Sequence, residues 1–324
     1  MGSPGNRQPQ TEHIELTSRR WIALILVAAL TLVYTVAIPR EALHPEHQPV
    51  TMTPADVGLD YENITLTPAD RPLELAAWWM PAAPDRAIAT LVFSHGGGSN
   101  RHSQFFKALD FYRAMVDRGV SVLALDLRNH GASDFDGEGL GFGATEKHDA
   151  RAAIDWARDK SPGQPLFAMG ISMGGATLIQ AAGDGAPLDG LILLDPLLDT
   201  HSTFTRGAWT STGLPPALFL PAAWAATNFW GLPGGAEQAY DRALTLKLPT
   251  LLIQDPGDPV TVAEHARALA AANPSVQLWV APAVDPANPE LPWRGRWGSH
   301  VIAYALFPEQ TLGQIMAFIN KLSG

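Results

Sequence analysis

Residues Pro165–Gln180, reading PLFAMGISMGGATLIQ, constrain the fold more than any other stretch. A short apolar run reaches Gly170-Ile171-Ser172-Met173-Gly174, and an Ala-rich run leaves from Gly175. The pattern predicts strand, tight turn and helix, with a serine at the tip. Such a serine takes a strained backbone conformation that lifts its Oγ clear, and glycines on either side let strand and helix pass closely. It also lies at a helix N-terminus, where unpaired N–H groups favour developing negative charge. Taken alone, a Gly-Ser turn before a helix is equally well a simple helix cap.

The rest of the chain supplies a context for that turn. Apolar runs at Ile88–Ser94, Val120–Leu125, Leu188–Leu194, Leu248–Gln254 and Val276–Ala281 read as strands, the inner ones buried on both faces. Helical patterns lie between them, at Ser103–Arg118, Thr145–Lys160 and Thr261–Ala272, with a last one at Leu312–Leu322. Tyr61–Thr67 and Leu73–Met80 read as an antiparallel opening pair. Alternating strands and helices predict an α/β fold whose mostly parallel sheet carries helices on both faces. His201–Gly235 breaks that rhythm with Trp209, Trp224, Trp230 and four prolines, and reads as a cap inserted over the strand ends. Phe204, Leu218, Phe219, Leu220 and Phe229 add apolar surface that must bury against the domain, a substrate chain or a bilayer.

Near the amino terminus, Trp21–Ile38 has no charged residue, glycine or proline. Eighteen residues at about 1.5 Å each are long enough to cross a bilayer core. Arg19 and Arg20 precede the stretch and only Arg40 follows closely, so the positive-inside bias places the amino terminus in the cytoplasm and the bulk of the chain outside. A cleaved signal peptide is the competing reading, with Thr35-Val36-Ala37 as a poor cleavage site. The expected organisation is a disordered tail over 1–18, an anchor over 19–39, a Pro-containing linker over 40–60 and a domain over 61–324.

Composition removes other classes. The net charge of −10 and the lack of a basic patch argue against nucleic acid. The absence of cysteine removes disulfides, a thiol nucleophile and thiolate metal sites. No His/Asp/Glu group has metal spacing, so neither a metal nor another cofactor is expected. Asp134, Asp136 and Glu138 read as a solvated loop, and His148 and His265 as helix-surface residues. Oligomeric state is not legible.

Ser172, Asp258 and His300 occur in the order nucleophile, acid, base, each following a core strand. With SHGGGS at 94–99, DLRNHGASD at 126–134, GISMGG at 170–175, LLIQDPGDPV at 251–260 and GSH at 298–300, the chain resembles the α/β-hydrolase superfamily over about Tyr61–Ser323. Within it the chain is similar to the bacterial branch related to serine aminopeptidases and monoacylglycerol lipases. The resemblance implies Ser172 as nucleophile, His300 as general base and acid, and Asp258 as the group orienting the imidazole. It implies an oxyanion site at the backbone N–H groups of Gly97 and Met173. His95 and His130 match positions that shape the pocket. Asp255 stands where the family usually has glycine, which leaves Asp255 and Asp195 as rival acids. The implied activity is a membrane-anchored serine hydrolase acting on an ester, thioester or amide of a small or lipid-like acyl compound. An acyltransferase using the same residues, or a non-catalytic binding protein on this fold, are the alternatives.

Overall fold

The computed structural model describes residues 9–324, with side chains from Arg19 onward. One long helical segment opens the chain: α1 (Pro9–Leu32), a π-helical turn (Val33–Ala37) and α2 (Ile38–Leu43). The part from Arg19 to Leu43 is long and apolar enough to cross a membrane. The helix already runs from Pro9, inside the stretch expected to be a disordered tail. Residues 1–8 of that expected tail lie outside the described residues.

The domain is an eight-stranded sheet in the order β1-β2-β4-β3-β5-β6-β7-β8. β1 (Glu62–Leu66) and β2 (Leu75–Met80) form the antiparallel edge, β2 pairing in turn with β4 (Val120–Leu125). The remaining pairs are parallel: β3 (Ala89–Ser94), β4, β5 (Leu166–Ile171), β6 (Gly190–Leu194), β7 (Thr250–Gln254) and β8 (Val276–Val280). Every residue of β3 to β7 is buried, as continuous apolar strands between two helical layers require. The helices are α3 (Ala108–Asp117), α4 (Lys147–Lys160), α5 (Met173–Gly183), α6 (Thr200–Thr212), α7 (Leu220–Phe229), α8 (Ala239–Thr245), α9 (Ala263–Ala272), α10 (Ala303–Leu306) and α11 (Pro308–Ser323). Two apolar clusters, one on each face of the sheet, make up the core.

The segment expected to be a linker is instead built into the domain. Leu43 is 1% exposed, and its carbonyl accepts the Leu140 amide at 2.7 Å. The Asn100 side chain donates to the carbonyls of Gln48 and Pro49 at 2.9 and 3.2 Å. His47 bonds the carbonyl of Gly131. A 3-10 turn at Pro54–Val57 follows, capped by Thr53 and Asp56 and ended by Gly58 at φ 74°. Prolines here prevent regular structure, but they leave carbonyls free for the domain to bind.

In the acidic loop Asp134 and Glu138 are exposed, as expected, but Asp136 is drawn inward. The Asp136 side chain is 1% exposed, accepts from Asn129 at 2.8 Å and lies 3.7 Å from Arg128. Arg128 is wholly buried and bonds both oxygens of Asp70 and of Asp149 at 2.7–3.1 Å. A buried guanidinium demands such partners, so an acidic residue near it is drawn inward. Burial pushes the Asp149 carboxyl up to about 6 despite that partner.

Candidate active site

The serine turn has the geometry its residues demand. Ser172 sits at φ 51°, ψ −119°, between the end of β5 and the first turn of α5, and its amide donates to Leu194 of β6 at 3.1 Å. A Cβ on Gly170 would stand 2.4 Å from the Gly174 carbonyl oxygen. One on Gly174 would stand 2.2 Å from that of Ser94. These contacts are with backbone, which cannot move aside, so both glycines are sterically obligatory.

His300 reaches Ser172 from the loop after β8. Its Nε2 is 2.9 Å from Ser172 Oγ, and its Nδ1 is 2.7 Å from Asp258 Oδ2. Because a carboxylate only accepts, Nδ1 carries the proton and Nε2 is left to accept from the hydroxyl. Asp258 is held by its own loop: Oδ1 accepts the Val260 and Thr261 amides at 2.7 and 3.0 Å, and Oδ2 also accepts Thr261 Oγ1 at 2.7 Å. Ser172 is half-buried, whereas Asp258 and His300 are 8% and 4% exposed, so the reachable end of the chain of bonds is the hydroxyl.

The two rival acids do not touch the imidazole's free edge. Asp195, buried after β6 at φ 43°, accepts the Asp255 amide on Oδ1 at 2.7 Å and the Val301 amide on Oδ2 at 3.0 Å. Burial, with nearby Asp258 adding to it, pushes the Asp195 carboxyl well up. Asp255 accepts the Gly257 amide at 3.2 Å, and burial raises its carboxyl as well. Side-chain atoms of Asp195, Asp258 and His300 lie within 4.8 Å of one another, an arrangement that also fits a metal. The donors, however, are already engaged: both imidazole nitrogens are used, and both Asp195 oxygens hold amides.

The residues expected at the oxyanion site adjoin the elbow. Met173 is the first residue of α5, whose N–H has no intrahelical acceptor. A Cβ on Gly97 would meet Met173 Sδ at 3.2 Å, and one on Gly96 would meet Ser172 Cβ at 3.2 Å, so this loop presses on the elbow. Two stacked-edge histidines hold it, with ring centroids 4.8 Å apart. His95 bonds the Gly96 carbonyl through Nδ1 and accepts the Leu127 amide on Nε2 at 3.1 Å. His130 bonds the Arg128 carbonyl through Nδ1 and accepts the Gly98 amide on Nε2 at 3.0 Å. Burial is the main cause that lowers the pKa of both.

Sequence reasoning missed Arg294. Its guanidinium lies 4.7 Å over the Phe105 ring and bonds the His300 carbonyl at 2.8 Å, with a further bond to the Phe105 carbonyl. Burial lowers its pKa to about 10. An arginine in a loop carries no positional signal until the fold shows what it faces. The cap forms as α6, a 3-10 turn and α7, and it is tied to the site loops: Arg206 bonds the Pro259 carbonyl at 3.1 Å, and Arg296 that of Thr210 at 3.2 Å. Phe204 and Phe219 point inward, while Trp224 and Phe229 are 53% and 64% exposed.

Known proteins share this fold. The family model described as serine aminopeptidase, S33, matches residues 85–231. An esterase of Pyrococcus furiosus superposes with a TM-score of 0.69 at 22% identity, over 88% of this chain and 99% of that one. An α/β hydrolase of a Penicillium species gives 0.62 at 15% identity, over 82% and 99%. A thermophilic esterase of Thermogutta terrifontis gives 0.57 at 18% identity, over 81% and 100%. No curated protein sequence matches the chain. The chain therefore has the α/β-hydrolase fold, and over residues 85–231 it is similar to the serine aminopeptidase family.

Proposed function

We propose that the protein is a membrane-anchored serine hydrolase that cleaves acyl esters, thioesters or amides through an acyl-enzyme. The observation that carries this reading is the unbroken path from Ser172 Oγ through His300 to Asp258, at 2.9 and 2.7 Å. Ser172 Oγ attacks the acyl carbonyl as His300 Nε2 takes its proton. The oxyanion is received by the Met173 and Gly97 N–H groups, aided by the N-terminus of α5. His300 then returns the proton to the leaving group, and water repeats the sequence on the acyl-enzyme. Asp258 holds the imidazole tautomer and offsets its charge. The similarity to proteins described as esterases favours an oxygen ester.

Residues 19–39, within the apolar helix Arg19–Leu43, are read as the anchor, with the amino terminus cytoplasmic and the domain outside. Protease added to spheroplasts then digests the domain, while intact protein stays with membranes after a carbonate wash. A soluble form beginning near Ile38 would show a signal peptide instead. The activity is tested with p-nitrophenyl esters of increasing chain length. Turnover is expected with wild type and not with Ser172→Ala, each added CH₂ improving kcat/KM by up to about 0.8 kcal/mol until the pocket fills. No turnover of any ester, thioester or amide by a folded wild type would reject it.

A further inference from the structure

The cap and the end of the membrane helix form one apolar surface. Trp230, just after α7, donates its indole N–H to the Thr35 carbonyl at 2.8 Å, and α7 packs against Val33–Ala37. α7 is uncharged and mostly apolar, with Thr227 and Asn228 its only polar residues. Ala222, Ala223, Ala225 and Ala226 are buried on its inner side, while Leu220, Trp224 and Phe229 are more than half exposed. The Trp224 and Phe229 rings meet edge-on at 5.5 Å, so the outer residues form a patch rather than scattered points. Leu214 and Leu218 extend it, and Val33 and Val36 of the helix are exposed beside it. No Asp, Glu, Lys or Arg occurs from Gly207 to Ala236. An uncharged helix that leaves Leu220, Trp224 and Phe229 bare calls for cover on that face as well.

The anchor's geometry identifies the cover. From Arg20, Thr35 lies fifteen residues along, about 22 Å at 1.5 Å per residue, inside a hydrocarbon core about 30 Å thick. A cap bonded to Thr35 therefore sits several ångström below the membrane surface, the depth that interfacial apolar helices adopt, about 5–10 Å. We infer that the outer face of the cap, from Leu214 to Phe229, is embedded in the outer leaflet, so that the site beneath the cap meets acyl chains at the bilayer rather than in bulk water. The inference rests on the anchor reading of residues 19–39, and extends the proposed hydrolase to lipid-borne acyl substrates. With a net charge of −10 and an uncharged cap, the contact is apolar and needs no anionic lipid.

The absence of native cysteine makes depth directly measurable. Full-length protein carrying Leu218→Cys or Phe229→Cys, labelled with a nitrobenzoxadiazole maleimide, is reconstituted into phosphatidylcholine vesicles. Asp85→Cys, exposed at the opposite end of the sheet, and Ala28→Cys, mid-helix, are the references. Cap labels are expected to be quenched by shallow spin-labelled lipid and shielded from aqueous iodide severalfold relative to Asp85→Cys. Ala28→Cys is expected to respond to deep spin label. Cap labels as open to iodide as Asp85→Cys would overturn the cap assignment while a lipid-quenched Ala28→Cys left the anchor standing. Shielding from both quenchers would mean that protein covers the face, and would also overturn it. An Ala28→Cys label reached by iodide would remove the anchor and the inference with it. None of these readouts depends on hydrolysis.

Discussion

The backbone N–H of Val301 donates to Asp195 Oδ2 at 3.0 Å, and both residues hold positive φ, 52° and 43°. A β-branched residue at such a φ is strained and persists only where its surroundings impose it. Asp195 also accepts the Asp255 amide. One buried carboxyl thus ties the loop that carries Asp258 to the loop that carries His300.

Asp195 is accordingly a positioning residue. Asp195→Asn keeps one acceptor but turns an NH₂ toward one of the two amides. We expect kcat to fall about 10–100-fold with KM little changed, because the loss is one of imidazole placement. Steady-state kinetics on one soluble ester decide it, and an unchanged kcat would show that the loops hold themselves.

Asp258→Asn acts on the imidazole directly. The Val260 and Thr261 amides hold its one oxygen, so its NH₂ faces Nδ1 and cannot accept from it, and kcat should drop by roughly 10²–10⁴. The same assay applied to Asp255→Asn should show a far smaller loss. Reversal of that ranking would move the acid to position 255.

Legibility from sequence followed locality. The strands and the serine turn were readable because each rests on a few adjacent residues: an apolar run, two glycines, a helix start. That Ser172, Asp258 and His300 meet could be anticipated from their positions after strands. The role of Asp195 could not, because it lies in bonds to residues 60 and 106 positions away. Residues 40–60 looked like a linker because proline and the lack of periodicity are the visible signals there. What docks them is carbonyl oxygen, which every residue carries and no sequence pattern reveals.

That docking carries a stability prediction. Leu43 packs in the core cluster that contains Leu140 and Phe142. Leu43→Ala should destabilise the domain by about 2–5 kcal/mol, the usual range for a truncated buried leucine. A denaturant midpoint equal to that of wild type, measured in one detergent, would return the segment to the status of a tether.

Stability should also fall on mild acidification. His95 and His130 have lowered pKa values in the folded state, chiefly through burial. Above about pH 6.5 they are neutral in both states and contribute no slope. Below it the unfolded chain binds protons that the folded chain does not, so stability declines as pH falls, by up to about 1.4 kcal/mol per unit for each histidine. Thermal unfolding between pH 7.5 and 5.5 checks this, and His95→Asn should flatten the slope if the variant folds. A melting temperature that rises toward pH 5.5 would contradict the sign.

The central claim is that Ser172 is the nucleophile, and covalent labelling tests it most directly. Folded full-length protein is treated with a fluorophosphonate probe, and the adduct is located by peptide mass spectrometry. The account predicts one adduct, on Ser172, and none in Ser172→Ala of unchanged circular dichroism. An adduct on another residue, or labelling that survives Ser172→Ala, would contradict it.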